Sequence, residues 1–187
     1  MKGHLLIVIC AIFTGIEVNS QVPGFGRCPR TSAVQNFDVN AYLGRWFEIE
    51  SYFQTFAIGG TCVEANYGLN PNGTVSVLNK MTRLGREESI LGYAVLASPG
   101  EGKLIVNFPQ SPPTDTPNYI ILSTDYVNYA VVHSCTQISR FTYVQIAWIL
   151  ARNRQIGAIQ RFQARRVLEN NGVSTRWLRE TDQSNCG

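Results

Sequence analysis

The chain has 187 residues, with 16 Lys and Arg against 13 Asp and Glu and a formal net charge of +3. That length suits one domain with a core of its own. The charge is mild and no long basic run occurs, so nucleic acid is not an expected partner. The first twenty residues stand apart from the rest. Lys2 gives a positive start, residues 5–13 are apolar, and Val18 and Ser20 flank a cleavage position after residue 20. This is the plan of a secretory signal peptide, so the expected layout is 1–20 signal and 21–187 mature domain. A membrane anchor needs roughly twenty apolar residues, and Thr14, Glu17 and Asn19 interrupt this run.

Export implies an oxidising compartment. Cys10 would leave with the signal, and Cys28, Cys62, Cys135 and Cys186 would remain. An even number in a secreted chain reads as two disulfides; three pairings are open, and spacing does not choose among them. No C-x-x-C pair occurs and the mature part has one histidine, His133, so no metal site is expected.

The mature sequence then reads as strand after strand. Residues 45–53 are aromatic and β-favouring, and 62–69 form a second run. Asn70-Pro71-Asn72-Gly73 is a hairpin turn signal. Residues 74–82 alternate, with Val75, Val77, Asn79 and Met81 on one face. Five more runs follow at 89–96, 103–108, 119–124, 128–135 and 143–151, separated by turn chemistry such as Ser98-Pro99-Gly100 and Pro112-Pro113. Eight consecutive strands predict an all-β, antiparallel, up-and-down barrel. Residues 154–170 predict one helix outside the barrel, with Ile156, Ile159, Phe162 and Val167 facing inward. Arg161, Arg165 and Arg166 take its solvated side, and Asn170-Asn171-Gly172 stops it. A short extra strand is expected at 175–178.

Alternation also nominates a lining. Val63, Ala65, Tyr67, Asn79, Met81, Leu104, Val106, Phe108, Tyr119, Ile121, Ile146 and Trp148 share the inward face, with small Ala65, Gly92 and Ala94 leaving space. Tyr42 is placed with them as a ligand contact. Such a lining is aromatic with a few polar handles, as small-molecule sites are. A filled barrel and a hollow one alternate alike, so periodicity leaves both open.

Three motifs carry a resemblance. Asn36-Phe37-Asp38 followed by Tyr42-Leu43-Gly44-Arg45-Trp46 is similar to the first lipocalin motif, G-x-W. Thr124-Asp125-Tyr126 is similar to the second, and Arg152, ending Trp148-Ile149-Leu150-Ala151-Arg152, to the third. The match runs from about Val22 to Cys186, and within lipocalins it most resembles the apolipoprotein D group with Lazarillo-type and insect bilin-binding proteins. The resemblance implies the lipocalin barrel, with Trp46 sealing its closed end, Arg152 lying across the indole and Gly44 allowing the approach. It also implies the pairs Cys28–Cys135 and Cys62–Cys186. It implies a secreted, extracellular carrier of a small hydrophobic ligand of fatty acid, sterol or retinoid class. The alternative ligand is a bilin such as biliverdin, although the lining offers no obvious basic pair for two propionates. A secreted structural or interaction module without a cavity ligand is the reading of another class.

Catalysis is not expected. A hydrolase would have His133 as its one base and no G-x-S-x-G, and the implied pairing leaves no free thiol as nucleophile. No cofactor is implied beyond the non-covalent ligand. Asn72-Gly73-Thr74 is an N-glycosylation sequon at a turn tip. Finally, Phe53, Phe56, Ile58, Ile138 and Phe141 lie in loops expected at the mouth. Either they fold inward as a lid, or Phe53, Phe56, Ile138 and Phe141 face outward and touch a membrane or lipoprotein, with Arg140 beside them.

Overall fold

A computed structural model describes residues 21–53 and 58–186. The expected signal peptide, Phe56 and Gly187 lie outside the described residues. The strands are β1 (Val22–Phe25), β2 (Gly44–Tyr52), β3 (Gly60–Leu69), β4 (Val75–Arg83), β5 (Arg86–Leu96), β6 (Lys103–Asn107), β7 (Tyr119–Thr124), β8 (Tyr129–Ser139), β9 (Thr142–Ala151) and β10 (Leu178–Glu180). Each of β2 to β9 pairs antiparallel with the next, and β9 returns to pair with β2. Among the described residues, eight strands therefore close the expected up-and-down barrel, with no free edge along its lower wall.

Closure is tight only at one end. β2 pairs with β3 over Gly44–Phe47 and with β9 over 47–51, across a bulge at Glu48/Glu50. Above that, β2 leaves β3 and takes β10 as its neighbour, while β9 takes β1. The tail beyond β10 fills the remaining gap: Cys62 N–H donates to Asp182 O, and Gln183 Nε2 donates to both Glu48 O and Val63 O. Disulfides Cys28–Cys135 and Cys62–Cys186 tie the two terminal segments to the wall, the pairing that the resemblance implies.

The helix departs from its expected bounds and phase. It is α2 (Ala158–Asn170), starting four residues later than residue 154, after Gly157. Ile156 precedes it; Ile156 and Val167 pack partly against the core as expected, while Ile159 and Phe162 do not. Ala164 and Leu168 are buried, whereas Ile159 and Phe162 are exposed. The basic side is not simply solvated either: Arg165 and Arg161 reach back to Glu50 on β2. A 3-10 turn occupies Thr175–Trp177, so the last strand begins only at Leu178. β1 and a one-turn helix, α1 (Val39–Tyr42), were not anticipated; Asp38 caps α1 by accepting from the Asn40 and Ala41 N–H groups.

Two apolar clusters result. One lies between the barrel wall and α2, and includes Phe47, Ile49, Tyr52, Val131, Ala147, Ile149, Ala164 and Leu168. The other fills the closed end of the barrel, with Phe37, Tyr42, Trp46, Tyr67, Val75, Val77, Leu104, Ile121 and Val132.

Candidate functional site

The closed end is built around Trp46, which is fully buried and donates from Nε1 to Tyr42 O at 2.8 Å. Arg152 leaves β9 at its last turn and lies flat under the indole, its Cζ 3.8 Å from the ring centroid. The guanidinium donates to Tyr126 O, Arg45 O and Ala41 O at 2.8–2.9 Å. One planar cation thus joins the α1 segment, β2 and the β7–β8 turn. Gly44 has φ +90°, so its backbone conformation favours glycine, and a Cβ there would just touch the Arg152 guanidinium at 3.4 Å.

Thr124-Asp125-Tyr126 serves the same end. The Asp125 carboxylate accepts from the backbone of Val127, Asn128 and Tyr129 and from the Asn128 amide. Burial pushes that carboxyl's pKa up, but these hydrogen bonds outweigh it and hold it below the usual range. Tyr126 takes a positive φ of 66°, which turns its ring under the barrel, where its hydroxyl accepts from Asp38 N–H.

Above this floor the wall changes character. Interior-facing Val75, Val77, Leu104, Ile121 and Ala130 are buried near the closed end. Higher on the same faces, Ala65, Asn79, Met81, Val106, Phe108 and Trp148 retain accessible surface. A filled barrel would bury both levels. Gly92 contributes to this level: a Cβ there would come within 2.6 Å of Phe108, whose ring lies against the bare backbone. Of the nominated ligand contacts, Tyr42, Tyr67, Val106, Phe108, Tyr119 and Trp148 belong to the interior cluster. Asn79 and Met81 continue the inward face of β4. Ile146 shares strand parity with Trp148 but is buried within the cluster that reaches under the helix.

Three phenols meet between floor and hollow. Tyr67 donates to the Tyr119 hydroxyl at 2.8 Å, and the Tyr42 and Tyr119 hydroxyls lie 3.0 Å apart. Rings continue from Tyr42 through Tyr67 and Tyr119 to Trp148, with centroid spacings of 5.4, 6.3 and 6.0 Å. Burial pushes the Tyr67 phenol up to about 12 and raises those of Tyr42 and Tyr119, so all three stay protonated. Three hydroxyls carry three protons and their two mutual bonds use two. One O–H of the trio therefore has no partner among the described residues, and it is a donor for a polar atom in the hollow.

Sequence reasoning missed two interior groups. Arg83 continues the parity of Asn79 and Met81 toward the mouth, where its NH2 group lies 3.5 Å from Met81 Sδ and its NH1 pairs with Glu88 at 3.2 Å. Glu48, two residues after Trp46, is a buried carboxyl on the interior side. In both cases the alternation carried the signal, but neither residue was nominated, because charged side chains are mostly solvated. His133, by contrast, is buried on the outer side of β8, 3.0 Å from Gln145 Oε1, and takes no part in the hollow.

At the open end Phe53, Ile58, Ile138 and Phe141 are each more than half exposed, and Leu84 in the β4–β5 turn is 95 % exposed. Each of these side chains thus keeps most of its surface open to solvent. Arg140 stacks on Phe141, its Cζ 4.9 Å from the ring centroid. At the opposite end, Asn72 occupies an exposed turn tip, and its Oδ1 accepts from Thr74 N–H and Oγ1–H.

A lipocalin-like domain family model matches residues 37–183. The chain belongs to the lipocalin family. Apolipoprotein D of Cavia porcellus is 38% identical over 186 residues, covering 97% of each chain. The Lazarillo protein of Schistocerca americana is 31% identical over 189 residues, covering 98% of this chain and 86% of that protein. Among solved structures, insecticyanin from the tobacco hornworm Manduca sexta superposes with a TM-score of 0.75 at 24% identity, over 89% of this chain and 91% of that one. This last likeness concerns the fold. The motif residues Trp46 and Arg152 hold the closed end of this barrel, and the phenol trio and the accessible wall lie above it.

Proposed function

We propose that this lipocalin is a secreted carrier that holds one small hydrophobic molecule of fatty acid, sterol or retinoid class in the upper half of its barrel. The observation that carries the reading is the contrast along the interior faces: buried at the floor, accessible above it, with aromatic rings and one unpaired phenol hydrogen at the boundary. Apolar lining favours uptake by about 25 cal/mol per Å² of ligand surface removed from water. The disulfides suit an extracellular setting. They also occupy all four cysteines of the expected mature chain, which removes a thiol nucleophile from consideration.

A long-chain alcohol carrying bromine tests the reading, because bromine quenches tryptophans only on contact. Saturable one-to-one quenching is expected in the wild type, and most of it disappears in Trp148→Phe while binding persists. Trp46 is sealed below the floor, so it contributes little. Absence of saturable uptake for alcohol, sterol and retinoid probes alike would sink the carrier reading. A visible absorption band in protein from its native tissue would instead show a bound pigment, the bilin being the alternative ligand. The one interior cation noted near the mouth, Arg83, is already paired with Glu88, which weighs against two propionates.

The exposed rim supports a contact with a membrane or lipoprotein surface during loading. Phe53, Ile138 and Phe141 offer apolar area at the level where ligand enters, and Arg140 adds a weak attraction to anionic lipid. Phe53→Ser with Phe141→Ser is expected to reduce co-sedimentation with liposomes severalfold while affinity for a dissolved probe stays within about twofold. Equal loss of both would assign these residues to the pocket.

A further inference from the structure

We propose that Glu48 is a ligand-binding residue, whose second carboxyl oxygen hydrogen-bonds the uncharged polar end of a lipid alcohol, ketone or ester inside the barrel. The proposal rests on the carrier reading and narrows its ligand class. Glu48 sits opposite Leu150, one residue pair above the level of Trp46, and directly opposed residues of an antiparallel pair share a face. Leu150 belongs to the interior cluster. Ser51, which pairs with Trp148, donates to Glu48 Oε1 at 2.9 Å, and Thr181 from the tail donates to the same oxygen at 2.6 Å. Oε1 thus accepts both hydroxyls, while Oε2 has no hydrogen-bond partner among the described residues. The side chain is nonetheless buried, at 6 % exposure.

Among the described residues no cation pairs with this carboxyl. Two residues on, Glu50 turns to the outer face and takes a two-pronged bond from Arg165. Glu64 on β3 also turns outward, between Arg45 and Arg154. The elements against Glu48 offer only neutral groups: Trp148 and Leu150 from β9, Ser51 from its own strand, and Thr181 and Gln183 from the tail. Asp182 bonds Ser184 instead, and Arg152 lies beyond the Trp46 ring. Burial therefore raises the acid's pKa, and the Thr181 and Ser51 hydrogen bonds only partly offset that. A protonated Oε2 donates to a carbonyl or hydroxyl oxygen. A carboxylate ligand fits less well, because it brings a bare anion into an apolar barrel where, among the described residues, no cation stands beside Glu48.

Fluorescence titration with all-trans-retinol, which does not ionise, at pH 5 tests this. Glu48→Gln keeps an acceptor for Ser51 and Thr181 and a donor for the ligand, so its affinity should stay within about twofold of wild type. Glu48→Leu should bind about fivefold more weakly than wild type at pH 5, the loss of one hydrogen bond. Full retinol affinity in Glu48→Leu with only a lowered melting temperature would mean that Glu48 merely ties the tail to β2, and overturns the proposal alone. A wild type that takes up no retinol overturns the carrier reading beneath the proposal, and the proposal with it.

Discussion

Arg152→Ala is expected to lower the unfolding free energy by about 3 kcal/mol, read as a shift of the urea midpoint with unchanged slope. Three carbonyls, from Ala41, Arg45 and Tyr126, receive their side-chain hydrogen bonds from this one guanidinium. Hydrogen bonds from a charged donor contribute about 1.5–3 kcal/mol each when deleted singly, and together they fall short of additivity. The stacking on Trp46 adds roughly 0.5–2 kcal/mol. Water replaces part of what is lost, because Arg152 is only partly buried. Arg152→Lys separates charge from shape. An ammonium has three donors but no plane to lie beneath an indole, so it should recover about 1 kcal/mol and no more. Lysine restoring wild-type stability would show that charge alone holds the closed end. Ligand uptake should change little in Arg152→Lys, because the phenol trio and Trp148 lie above the sealed floor.

The barrel was legible because its strands are half-buried and alternate, and because Asn70-Pro71-Asn72-Gly73 and similar turns punctuate them. The elements that escaped are those whose structure comes from a distant partner. β1 is four residues long and is a strand only because β9 lends it an edge above the point where β2 turns away. α1 is a single turn that depends on the Asp38 cap. The stripe of α2 was half right: Ile156 and Val167 pack against the core, but the fully buried positions are Ala164 and Leu168, and Ile159 and Phe162 face solvent. In the candidate site, parity identified Tyr67, Asn79, Phe108 and Trp148 as interior. It did not reveal that the hydroxyls of Tyr42, Tyr67 and Tyr119 meet, since those residues are separated by long stretches of chain. Nor did it nominate Glu48, whose hydroxyl partner Thr181 comes from the far end of the chain. Carboxylates are usually solvated, and only the folded barrel shows that this one is not.

Arg165→Ala is expected to lower stability by about 2–3 kcal/mol, and the loss should concentrate at the helix. Glu50 is fully buried on the outer wall of β2, and Arg165 meets both of its oxygens, at 2.9 and 2.8 Å. Breaking a buried pair from one side typically costs about 3–5 kcal/mol, because the remaining charge is left in a poor solvent. Two features reduce that here: the Arg165 side chain is 44% exposed, and Arg161 remains 3.4 Å from Glu50. Among the described residues of the helix only Ala164 and Leu168 are fully buried, with Val167 partly buried beside them, so the ion pair is a sizeable part of its anchorage. Amide exchange should therefore accelerate across α2 before the barrel opens. Replacing both partners, as Glu50→Leu with Arg165→Leu, removes the desolvated charge together with its counter-ion. That double variant should lie within about 1 kcal/mol of wild type, well above the Arg165→Ala single. If Arg165→Ala costs no more than an exposed surface pair, under about 1 kcal/mol, and α2 exchange is unchanged, then Arg161 alone neutralises Glu50 and the helix is held by its apolar contacts.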